Sequence, residues 1–333
     1  MSGVTRSGNL LAISDGRTGN TRQAEALAST LVGSLYTTQV LKPRIPWRWT
    51  APYCLPGAKH AFGTTFSHAL RYPPFLAIGC GRQAALATRL LHKQGACVVQ
   101  ILDPRLPARH WDLLVVPEHD HIRGHNVLTL LGSLHPVNDV WLATGRAQFP
   151  ELGDLPGQRV ALLVGAPTPQ APWQPAQLEE LCTTLVKRLS CGGSVLATTS
   201  RRTPPELATQ LRKHLTTIPG LFWNNTDKGA NPYPGILGWA DAIIATADSV
   251  NLLSEACATR VPVTAAFANQ TRGRIRCFID ALGARLCTVE NLLAIDTLAQ
   301  PLRETERIAN EVRAWFGNGI GSSFQSKDEV ISK

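Results

Sequence analysis

The sequence predicts an α/β protein made of two tandem domains, each built on a parallel β-sheet. Short apolar runs alternate with amphipathic helical patterns along the whole chain, as expected of strands joined by crossover helices. A length of 333 residues suits two domains of ordinary size. The stretch at residues 149–157, which contains Pro and Gly, interrupts this alternation of strands and helices near the middle of the chain. It predicts an interdomain linker.

These features place an N-terminal domain at residues 1–152 and a C-terminal domain at residues 158–300. Apolar residues recur at helical spacing between residues 301 and 316, which predicts a long helix that could pack back on the first domain. Residues 317–333 are expected to form a flexible tail.

In the first half, four apolar runs are predicted strands. The first is followed by a turn at residues 14–20 and by a helix whose apolar stripe contains Ala24, Leu27 and Leu31. A further helix is expected from about residue 83. Residues 43–74, rich in Pro, Trp and Gly, predict an irregular excursion with short helices. The predicted strands are residues 10–13, 75–78, 97–101 and 113–116.

The second half repeats the alternation from residue 160 onward. Leu178, Cys182, Leu185 and Leu189 mark an amphipathic helix, and another helix is expected at residues 203–215. The predicted strands are residues 160–164, 194–199, 242–245 and 261–265. Open α/β sheets bind ligands beyond the carboxyl ends of their strands, and the loops that carry polar residues follow strands here.

Composition narrows the possible function classes. With 44% hydrophobic and 17% charged residues, the chain can bury a core and is not a disordered protein. No window reaches the apolar length of a membrane span, and residues 1–9 lack the long apolar region of a secretory signal. We therefore expect a cytoplasmic protein. Eight scattered cysteines without a C-x-x-C pair favour reduced thiols over a disulfide or zinc framework.

The formal net charge of +9 indicates anionic partners. The basic residues are dispersed, and aromatic residues make up only 6% of the chain, so stacking platforms for single-stranded nucleic acid are not expected. We rank phosphorylated ligands and an anionic membrane surface above nucleic acid as partners.

The most informative stretch is the predicted strand–turn–helix at residues 242–257. Thr246, Asp248 and Ser249 lie in the turn, where free backbone N–H groups and the positive end of a helix dipole favour a phosphate. Glu255 lies seven residues after Asp248, so both fall on roughly one helix face and a carboxylate could accept hydrogen bonds from ribose. The alternative is an ordinary turn in which Asp248 or Ser249 caps the helix.

Three other loops carry residues suited to chemistry. Arg201, after the predicted strand 194–199 and next to Ser200, could grip a pyrophosphate, or the segment could be a solvated basic loop. Arg274 could likewise bind phosphate or add only surface charge. The Glu-His-Asp-His segment at 118–121 could suggest metal ligands, but no separate His/Cys cluster completes a four-ligand site, so no metal is expected.

The loop at residues 14–20 is rich in glycine and polar residues and follows a strand. It matches neither G-x-G-x-x-G nor a Walker loop, so NAD binding and P-loop chemistry are poorly supported. Its residues of interest are Gly16, Thr18, Gly19 and Asn20, together with Asp15.

Short motifs in a fixed order resemble the bacterial relatives of the plant "elongated mitochondria" fission protein, a family classed with glycosyltransferases of GT-B architecture. The resemblance runs from residue 10 to residue 316. The motifs are SDGRTGN at 14–20, GR at 81–82, QILDPR at 100–105, PEHD at 117–120, RGHNV at 123–127, TTSRR at 198–202, NPY at 231–233, TADS at 246–249 and DALG at 280–283.

Two details refine this resemblance. Residues 249–255 are also similar to the donor-site helix of the peptidoglycan N-acetylglucosaminyltransferase, where a Glu holds the nucleotide ribose. Residues 164–169 depart from the family pattern of Gly-Gly-Pro followed by Ser or Thr and Lys, because the Lys is missing. This departure puts one phosphate contact in doubt.

The resemblance implies two Rossmann-like domains whose parallel sheets face a central cleft. It further implies metal-independent transfer of a hexosyl or N-acetylhexosaminyl group from a nucleotide-sugar donor to a cell-envelope glycan or lipid-linked acceptor, without a cofactor, at or near the inner membrane. Asp15 would be the general base, with Glu118 or His119 as alternatives; from the sequence, Asp15 could equally be a turn residue that bonds its own backbone. The implied donor-binding residues are Gly165, Ser200, Arg201, Thr246, Asp248, Ser249, Glu255 and Arg274.

Two other functions stay open from the sequence. A non-catalytic scaffold is one, since the plant relative is known for recruiting fission machinery. A nucleotide-sugar epimerase is the other, but it would need a dinucleotide-binding loop that the sequence does not show.

Overall fold

A computed structural model describes residues 9–224, 226–289, 291–292 and 299–317 of the chain. It divides into two compact units. Unit 1 contains the residues up to Pro136 and those from Glu304 onward, and unit 2 contains Val137–Arg303. Each unit is built on a single parallel sheet, which confirms the predicted class of two parallel-sheet α/β domains.

The sheet of unit 1 has six parallel strands in the order β2-β1-β3-β4-β5-β6. Its strands are β1 (Leu10–Ser14), β2 (Tyr36–Val40), β3 (Leu76–Cys80), β4 (Cys97–Ile101), β5 (Leu113–Pro117) and β6 (Val127–Leu130). Its helices are α1 (Thr18–Val32), α2 (Trp47–Thr50), α3 (Thr64–Arg71), α4 (Arg82–Lys93) and, from the C-terminal end, α11 (Glu304–Phe316).

Side chains on the two faces of this sheet form separate apolar clusters. Leu10 and Val99 pack on one face with Leu27 of α1 and Ile308 of α11. The opposite face packs against α4 and against the segment that precedes β3. A parallel sheet covered on both faces explains why most of its strands read as continuous apolar runs.

The sheet of unit 2 has five parallel strands in the order β11-β10-β7-β8-β9. Its strands are β7 (Arg159–Val164), β8 (Ser194–Thr199), β9 (Gly220–Trp223), β10 (Ala242–Thr246) and β11 (Val263–Ala266). Its helices are α5 (Asp139–Gln148), α6 (Pro175–Leu189), α7 (Pro205–Leu215), α8 (Tyr233–Trp239), α9 (Val250–Cys257) and α10 (Gly273–Leu282).

The division between the units falls earlier than the expected linker at 149–157. Helix α5 packs against α8 in unit 2, and the indole N–H of Trp239 donates to the carbonyl of Phe149 at 2.9 Å. A Cβ added to Gly235 of α8 would lie 2.7 Å from the Phe149 Cβ. The Pro- and Gly-containing stretch is therefore packed inside unit 2, and the chain passes between units at residues 136–137 and 303–304.

The C-terminal helix α11 belongs to unit 1. Its Ile308 and Val312 lie in the same apolar cluster as Leu27 and Leu31 of α1, and the Arg313 guanidinium donates to a carbonyl of α1. The expected tail at 317–333 lies, from residue 318, outside the described residues. Within the described part of the chain, no helix is long and apolar enough to cross a bilayer.

Three strands were missing from the sequence prediction, namely β2, β6 and β9. Each of them is an edge strand, and most residues of each are only partly buried or exposed. An edge strand needs no continuous apolar run, so its sequence signal is weak.

Candidate functional site

The strand order of the second sheet changes direction between β7 and β10. From β7 the chain continues through β8 to β9 on one side, while β10 is followed by β11 on the other. In open parallel sheets, a ligand-binding crevice forms beyond the carboxyl ends of the two strands at such a point. The loops after β7 and β10 begin here and contain several of the predicted site residues.

Asp248 joins these loops through a carboxylate that is fully buried. Its Oδ1 accepts a hydrogen bond from the Thr246 hydroxyl at 2.6 Å. Its Oδ2 accepts from the backbone N–H of Ala166 at 3.1 Å and from Nη2 of Arg202 at 2.9 Å. These bonds tie the end of β10 to the loops after β7 and β8. We call Asp248 with these three partners the Asp248 clamp.

Burial and hydrogen bonding shift the pKa of the Asp248 carboxyl in opposite directions. Burial raises its pKa above the ordinary value, and the Thr246 hydroxyl, the Ala166 N–H and the Arg202 charge counteract only part of that rise. About half of the Arg202 side chain stays exposed, at 51%. A guanidinium carries five N–H donors, so Arg202 can hold an anion while Asp248 fixes its orientation.

Gly165 is the residue that lets the two loops approach each other. Its backbone N–H donates to Oγ1 of Thr246 at 2.8 Å. A Cβ at this position would lie 2.1 Å and 2.3 Å from the two carboxylate oxygens of Asp248. The structure therefore places Gly165 directly against the clamp, where a side chain would displace the Asp248 carboxylate.

The loop after β8 is fastened to the end of β7. The Ser200 N–H donates to the Val164 carbonyl at 2.8 Å, and the Thr203 hydroxyl donates to the Gly165 carbonyl at 2.7 Å. Arg201 is exposed, and within the described part of the chain Arg202, not Arg201, pairs with Asp248. The sequence could not distinguish the two arginines, because only the shape of this turn decides which one faces Asp248.

Helix α9 begins beside the clamp. Ser249 is its N-cap, and the Ser249 Oγ accepts from the Leu252 N–H at 3.3 Å. Capping by Ser249 corresponds to the simpler interpretation of this turn. It is compatible with anion binding, because a helix start has several N–H groups without intrahelical partners and a positive dipole end.

Glu255, in the second half of α9, is buried with 4% of its surface exposed. Its Oε2 accepts from the hydroxyl of Tyr233, the first residue of α8, at 2.6 Å. The Tyr233 ring in turn packs edge-on against Trp141 of α5, with 6.5 Å between the ring centroids. A carboxylate can accept about four hydrogen bonds, and Tyr233 supplies one of those that Glu255 accepts.

Arg274 lies half-buried in the first turn of α10. The start of that helix is bonded to the loop after β7, because the Arg272 N–H donates to the Gln170 carbonyl at 2.8 Å. In the same loop, Trp173 stacks on Phe267 with 5.4 Å between ring centroids. These contacts connect α10 to the loop that carries Gly165.

In unit 1, the strand order changes direction between β1 and β3, and the glycine-containing loop follows β1. The Oδ1 of Asp15 accepts from the Arg17 backbone N–H at 3.1 Å and from Nδ2 of Asn20 at 3.0 Å. Only 9% of the Asp15 side chain is exposed. Thr18 and Gly19 are the first two residues of α1. Asp15 therefore closes its own turn, as the turn-residue interpretation predicts.

This loop also contacts the loop that follows β3. A Cβ on Gly81 would lie 2.4 Å from Nδ2 of Asn20. Burial, and secondarily the Asp15 charge, raise the pKa of the Cys80 thiol well above its ordinary value, so this cysteine stays protonated. Gly16 has a φ of +82°, a backbone conformation that glycine adopts without strain.

Glu118 and His119 lie in a short 3₁₀ turn after β5, Glu118–Asp120. Glu118 is exposed and His119 is half-buried. His121 follows with a φ of +54°, so the chain bends here and is not extended. Among the described residues, no three His, Cys, Asp or Glu side chains are grouped to hold a metal ion.

Comparison with known proteins identifies related sequences. The model of the family described as Mitochondrial fission ELM1 matches residues 18–316. "Mitochondrial fission protein ELM1" of Arabidopsis thaliana is 29% identical over 274 residues, which cover 72% of this chain and 63% of that protein. The chain thus spans less than two thirds of the length of this relative. "Uncharacterized protein RP120" of Rickettsia prowazekii is 24% identical and is covered over 98% of its length, with 92% of this chain.

Among solved structures, UDP-GlcNAc 2-epimerase from Methanocaldococcus jannaschii is similar with a TM-score of 0.53 and 14% identity. The match covers 92% of this chain and 99% of that one. At this identity the likeness shows the fold alone. It agrees with the predicted GT-B-like class of two Rossmann-like domains.

Proposed function

The chain belongs to the mitochondrial fission ELM1 family, and we propose that it transfers a sugar from a nucleotide-sugar donor to a cell-envelope glycan or a lipid-linked acceptor. The transferred group is a hexosyl or N-acetylhexosaminyl residue. The observation that carries this proposal is the Asp248 clamp, which orients a half-exposed Arg202 at the point where the strand order of unit 2 changes direction.

The donor diphosphate is the part of the ligand that this arrangement suits best. Arg202 offers a fixed, planar set of N–H donors, and the start of α9 at Ser249 adds a positive dipole end. Ser200 and the exposed Arg201 lie in the same turn as Arg202, and Arg274 stands at the start of α10. Asp248 already orients the Arg202 guanidinium, and the other groups add positive charge nearby in the chain, so the proposed reaction uses neither a metal nor a cofactor to stabilise the departing nucleoside diphosphate.

The ribose is assigned to Glu255. Its carboxylate is held in place by the Tyr233 hydroxyl, and ribose hydroxyls are hydrogen-bond donors that a carboxylate accepts well. In this proposal the phosphates and the ribose are recognised at opposite ends of α9, since Ser249 precedes the helix and Glu255 lies in its last turn.

The acceptor side of the reaction is assigned to unit 1. In the transfer step, an acceptor hydroxyl oxygen bonds to the anomeric carbon, the bond from that carbon to the diphosphate breaks, and the hydroxyl proton passes to a base. Asp15 is the first candidate for the base, although two hydrogen bonds from its own turn hold its Oδ1. Exposed Glu118 and neighbouring His119 are the alternatives. We place the protein in the cytoplasm, peripherally associated with the inner membrane.

Calorimetry of the purified protein with nucleoside diphosphates in the presence of a chelator tests donor binding. We expect binding without added divalent metal. Binding of no nucleoside diphosphate or nucleotide sugar, or binding that requires metal, would overturn the proposed donor site.

Transfer is tested with labelled nucleotide sugars and cell-envelope extract. If Asp15 is the base, Asp15→Asn keeps donor affinity and lowers transfer by about a hundredfold or more. If transfer is unchanged, the same comparison with Glu118→Gln and His119→Ala identifies the base. A wild-type protein that binds donor and neither transfers nor hydrolyses it would instead support the scaffold role that the family name suggests, and conversion of the donor without any acceptor would indicate an epimerase.

A further inference from the structure

Nearly all of the chain's net positive charge comes from one stretch of unit 1. Between Glu25 and Asp103 the sequence contains no acidic residue at all. The basic residues of that stretch are Lys42, Arg44, Arg48, Lys59, Arg71, Arg82, Arg89 and Lys93. They contribute eight positive charges, against a formal net charge of +9 for the whole chain. Arg89 is half-buried and the other seven are exposed.

The same stretch exposes large apolar side chains within eleven residues, at positions 45–55. Ile45 is 59% exposed, Trp49 68%, Tyr53 54% and Leu55 40%. A single exposed apolar residue is ordinary, but a group of them beside polar residues marks an interaction surface. We call these four residues the apolar patch.

The local backbone explains why two of these side chains face outward. Hydrogen bonds of the helical i to i+4 type span residues 44–51, so residues four apart share a face. Trp47 and Ala51 form one such pair and pack into an apolar cluster of unit 1. Ile45 and Trp49 form the other pair, which is turned away from that cluster.

The segment is fixed to the rest of unit 1 by two arginines of α4. Nη1 of Arg89 donates to the Pro52 carbonyl at 2.6 Å, and Nη2 of Arg82 reaches the Arg48 carbonyl at 3.5 Å. The segment that carries the apolar patch is thus held on a packed domain, and the exposed cationic residues Lys42, Arg44, Arg48 and Lys59 flank and alternate with the patch residues along the chain.

We propose that residues 42–72 form the surface by which unit 1 docks on an anionic lipid bilayer. The side chains of the apolar patch enter the headgroup region, where Trp and Tyr are favoured, and the surrounding Lys and Arg bind the phosphates of anionic lipids. Exposed Ile45 and Leu55 favour a bilayer over nucleic acid, because aliphatic side chains neither stack on bases nor bind phosphate. This surface shares no residue with the proposed nucleotide site, so it can be tested whether or not the protein transfers sugar.

Sedimentation with lipid vesicles tests the proposal on the full chain. We expect binding to vesicles of phosphatidylcholine mixed with phosphatidylglycerol, little binding to phosphatidylcholine alone, and release as the salt concentration rises. Equal binding to both vesicle types, or binding to neither, would overturn the proposal.

Variants with matched controls localise the surface. Arg48→Glu combined with Lys59→Glu should lower the vesicle partition coefficient about tenfold or more. Lys187→Glu combined with Lys213→Glu makes the same charge change at exposed positions of unit 2 and should have a much smaller effect. Ile45→Ser should also weaken binding, whereas Val140→Ser, at a 75% exposed position of α5, should not. Equal effects of the variants and their controls would show that binding is not localised to this surface.

Tryptophan quenching supplies a readout that needs only a conservative change. Brominated lipids should quench the wild-type protein, and Trp49→Phe should remove much of that quenching while vesicle binding persists. Unchanged quenching in Trp49→Phe would mean that Trp49 does not enter the bilayer. Duplex DNA that displaces the protein from vesicles, together with unchanged vesicle binding of Ile45→Ser, would replace the lipid assignment by nucleic acid.

Discussion

Asp15 in unit 1 and Asp248 in unit 2 occupy comparable places in the two sheets and make different kinds of bonds. Each follows a buried strand where the strand order changes direction. Asp15 accepts from Arg17 and Asn20, which are two and five residues away. Asp248 accepts from Ala166 and Arg202, which are 82 and 46 residues away.

The sequence distance of the bonded partners distinguishes an Asp that only closes its own turn from an Asp that joins several loops into a candidate site. The bonds of Asp15 could form in an isolated loop, whereas those of Asp248 exist only when three strands are assembled. Asp248 also orients an arginine from another strand end that stays half exposed, whereas the ion pair of Asp15 is with Arg17 of its own turn, at 3.6 Å and with the Arg17 side chain 84% exposed. The position of an Asp after a strand therefore marks a candidate site, but its long-range partners decide what it does.

The largest expected effect distinguishes the glycines beside the two aspartates. Gly165→Ala should lower the free energy of unfolding by about 3 kcal/mol or more, since its Cβ would overlap the Asp248 carboxylate. Gly16→Ala, whose Cβ would lie 2.9 Å from a Val40 methyl and 3.6 Å from the Lys42 Cε in a strained backbone, should cost about 1–2 kcal/mol. Urea denaturation measures both. Equal losses would show that the Asp248 carboxylate can move aside and that the clamp is not rigid.

The second-largest expected effect is a difference in the stability lost when each aspartate is replaced by Asn. Asp248→Asn leaves Arg202 without its buried anionic partner and puts an amide N–H₂ among hydrogen-bond donors, at a cost of about 2 kcal/mol in unfolding free energy. Asp15→Asn keeps an oxygen that can accept from the Arg17 N–H and should change stability by about 0.5 kcal/mol or less. The same denaturation experiment applies, and the comparison fails if Asp15→Asn is the more destabilising change.

The third prediction concerns nucleotide affinity and Glu255, in the last turn of α9. Glu255→Ala should weaken nucleotide binding by about 1–3 kcal/mol, the cost of a lost charged hydrogen-bond partner, and should affect pyrophosphate much less. Tyr233→Phe is the matched control, because it removes the bond to Glu255 and keeps the carboxylate. Calorimetry that finds equal losses for nucleotide and pyrophosphate would make Glu255 a structural residue.

The smallest effect is a pH dependence with opposite signs at two aspartates of unit 2. Hydrogen bonds from Arg303 and, to a smaller extent, Arg260 hold the pKa of the Asp139 carboxyl well below its ordinary value of 3.8. The ionised Asp139 therefore stabilises the folded state above pH 3.8, and this stabilisation is lost as the pH falls below 3.8. Burial raises the pKa of Asp248. The stability that this shift gives the folded state is therefore present at low pH and is lost as the pH rises.

The Asp139 side chain is 57% exposed, and this exposure limits its contribution to the free energy of unfolding to about 1 kcal/mol or less. The stability difference between wild type and Asp139→Asn should therefore shrink as the pH is lowered below about 4. A difference that stays constant over this range would mean that the ion pairs with Arg303 and Arg260 contribute nothing.

Much of the fold is visible in the sequence. The inner strands β1, β3, β4, β5, β7, β8 and β10 are buried along nearly their whole length, and their apolar runs predict them within two residues at either end. The edge strands β2, β6 and β9 are half-exposed and lack that signal. The two compact units divide at residues 136–137 and not at the predicted linker, since Phe149 and the residues after it look like a linker in the sequence yet pack against α8.

The candidate site is only partly visible in the sequence. Strand ends followed by Thr246, Asp248 and Ser200 point to the right loops, because parallel strands place their carboxyl ends together. The choice between Arg201 and Arg202 depends on the backbone of a single turn. The bond between Tyr233 and Glu255 spans 22 residues and two helices, and no local spacing encodes it.

The most direct test of the Asp248 clamp is the affinity for a nucleoside diphosphate of two neighbouring variants, Arg202→Gln and Arg201→Gln, measured by calorimetry. We expect Arg202→Gln to weaken binding by about 2 kcal/mol, or about thirtyfold, because Asp248 fixes the orientation of this guanidinium at the proposed diphosphate site. Arg201→Gln, at an exposed position of the same turn, should change affinity by about threefold or less. Equal losses, or a larger loss for Arg201→Gln, would contradict the role of the Asp248 clamp in nucleotide binding.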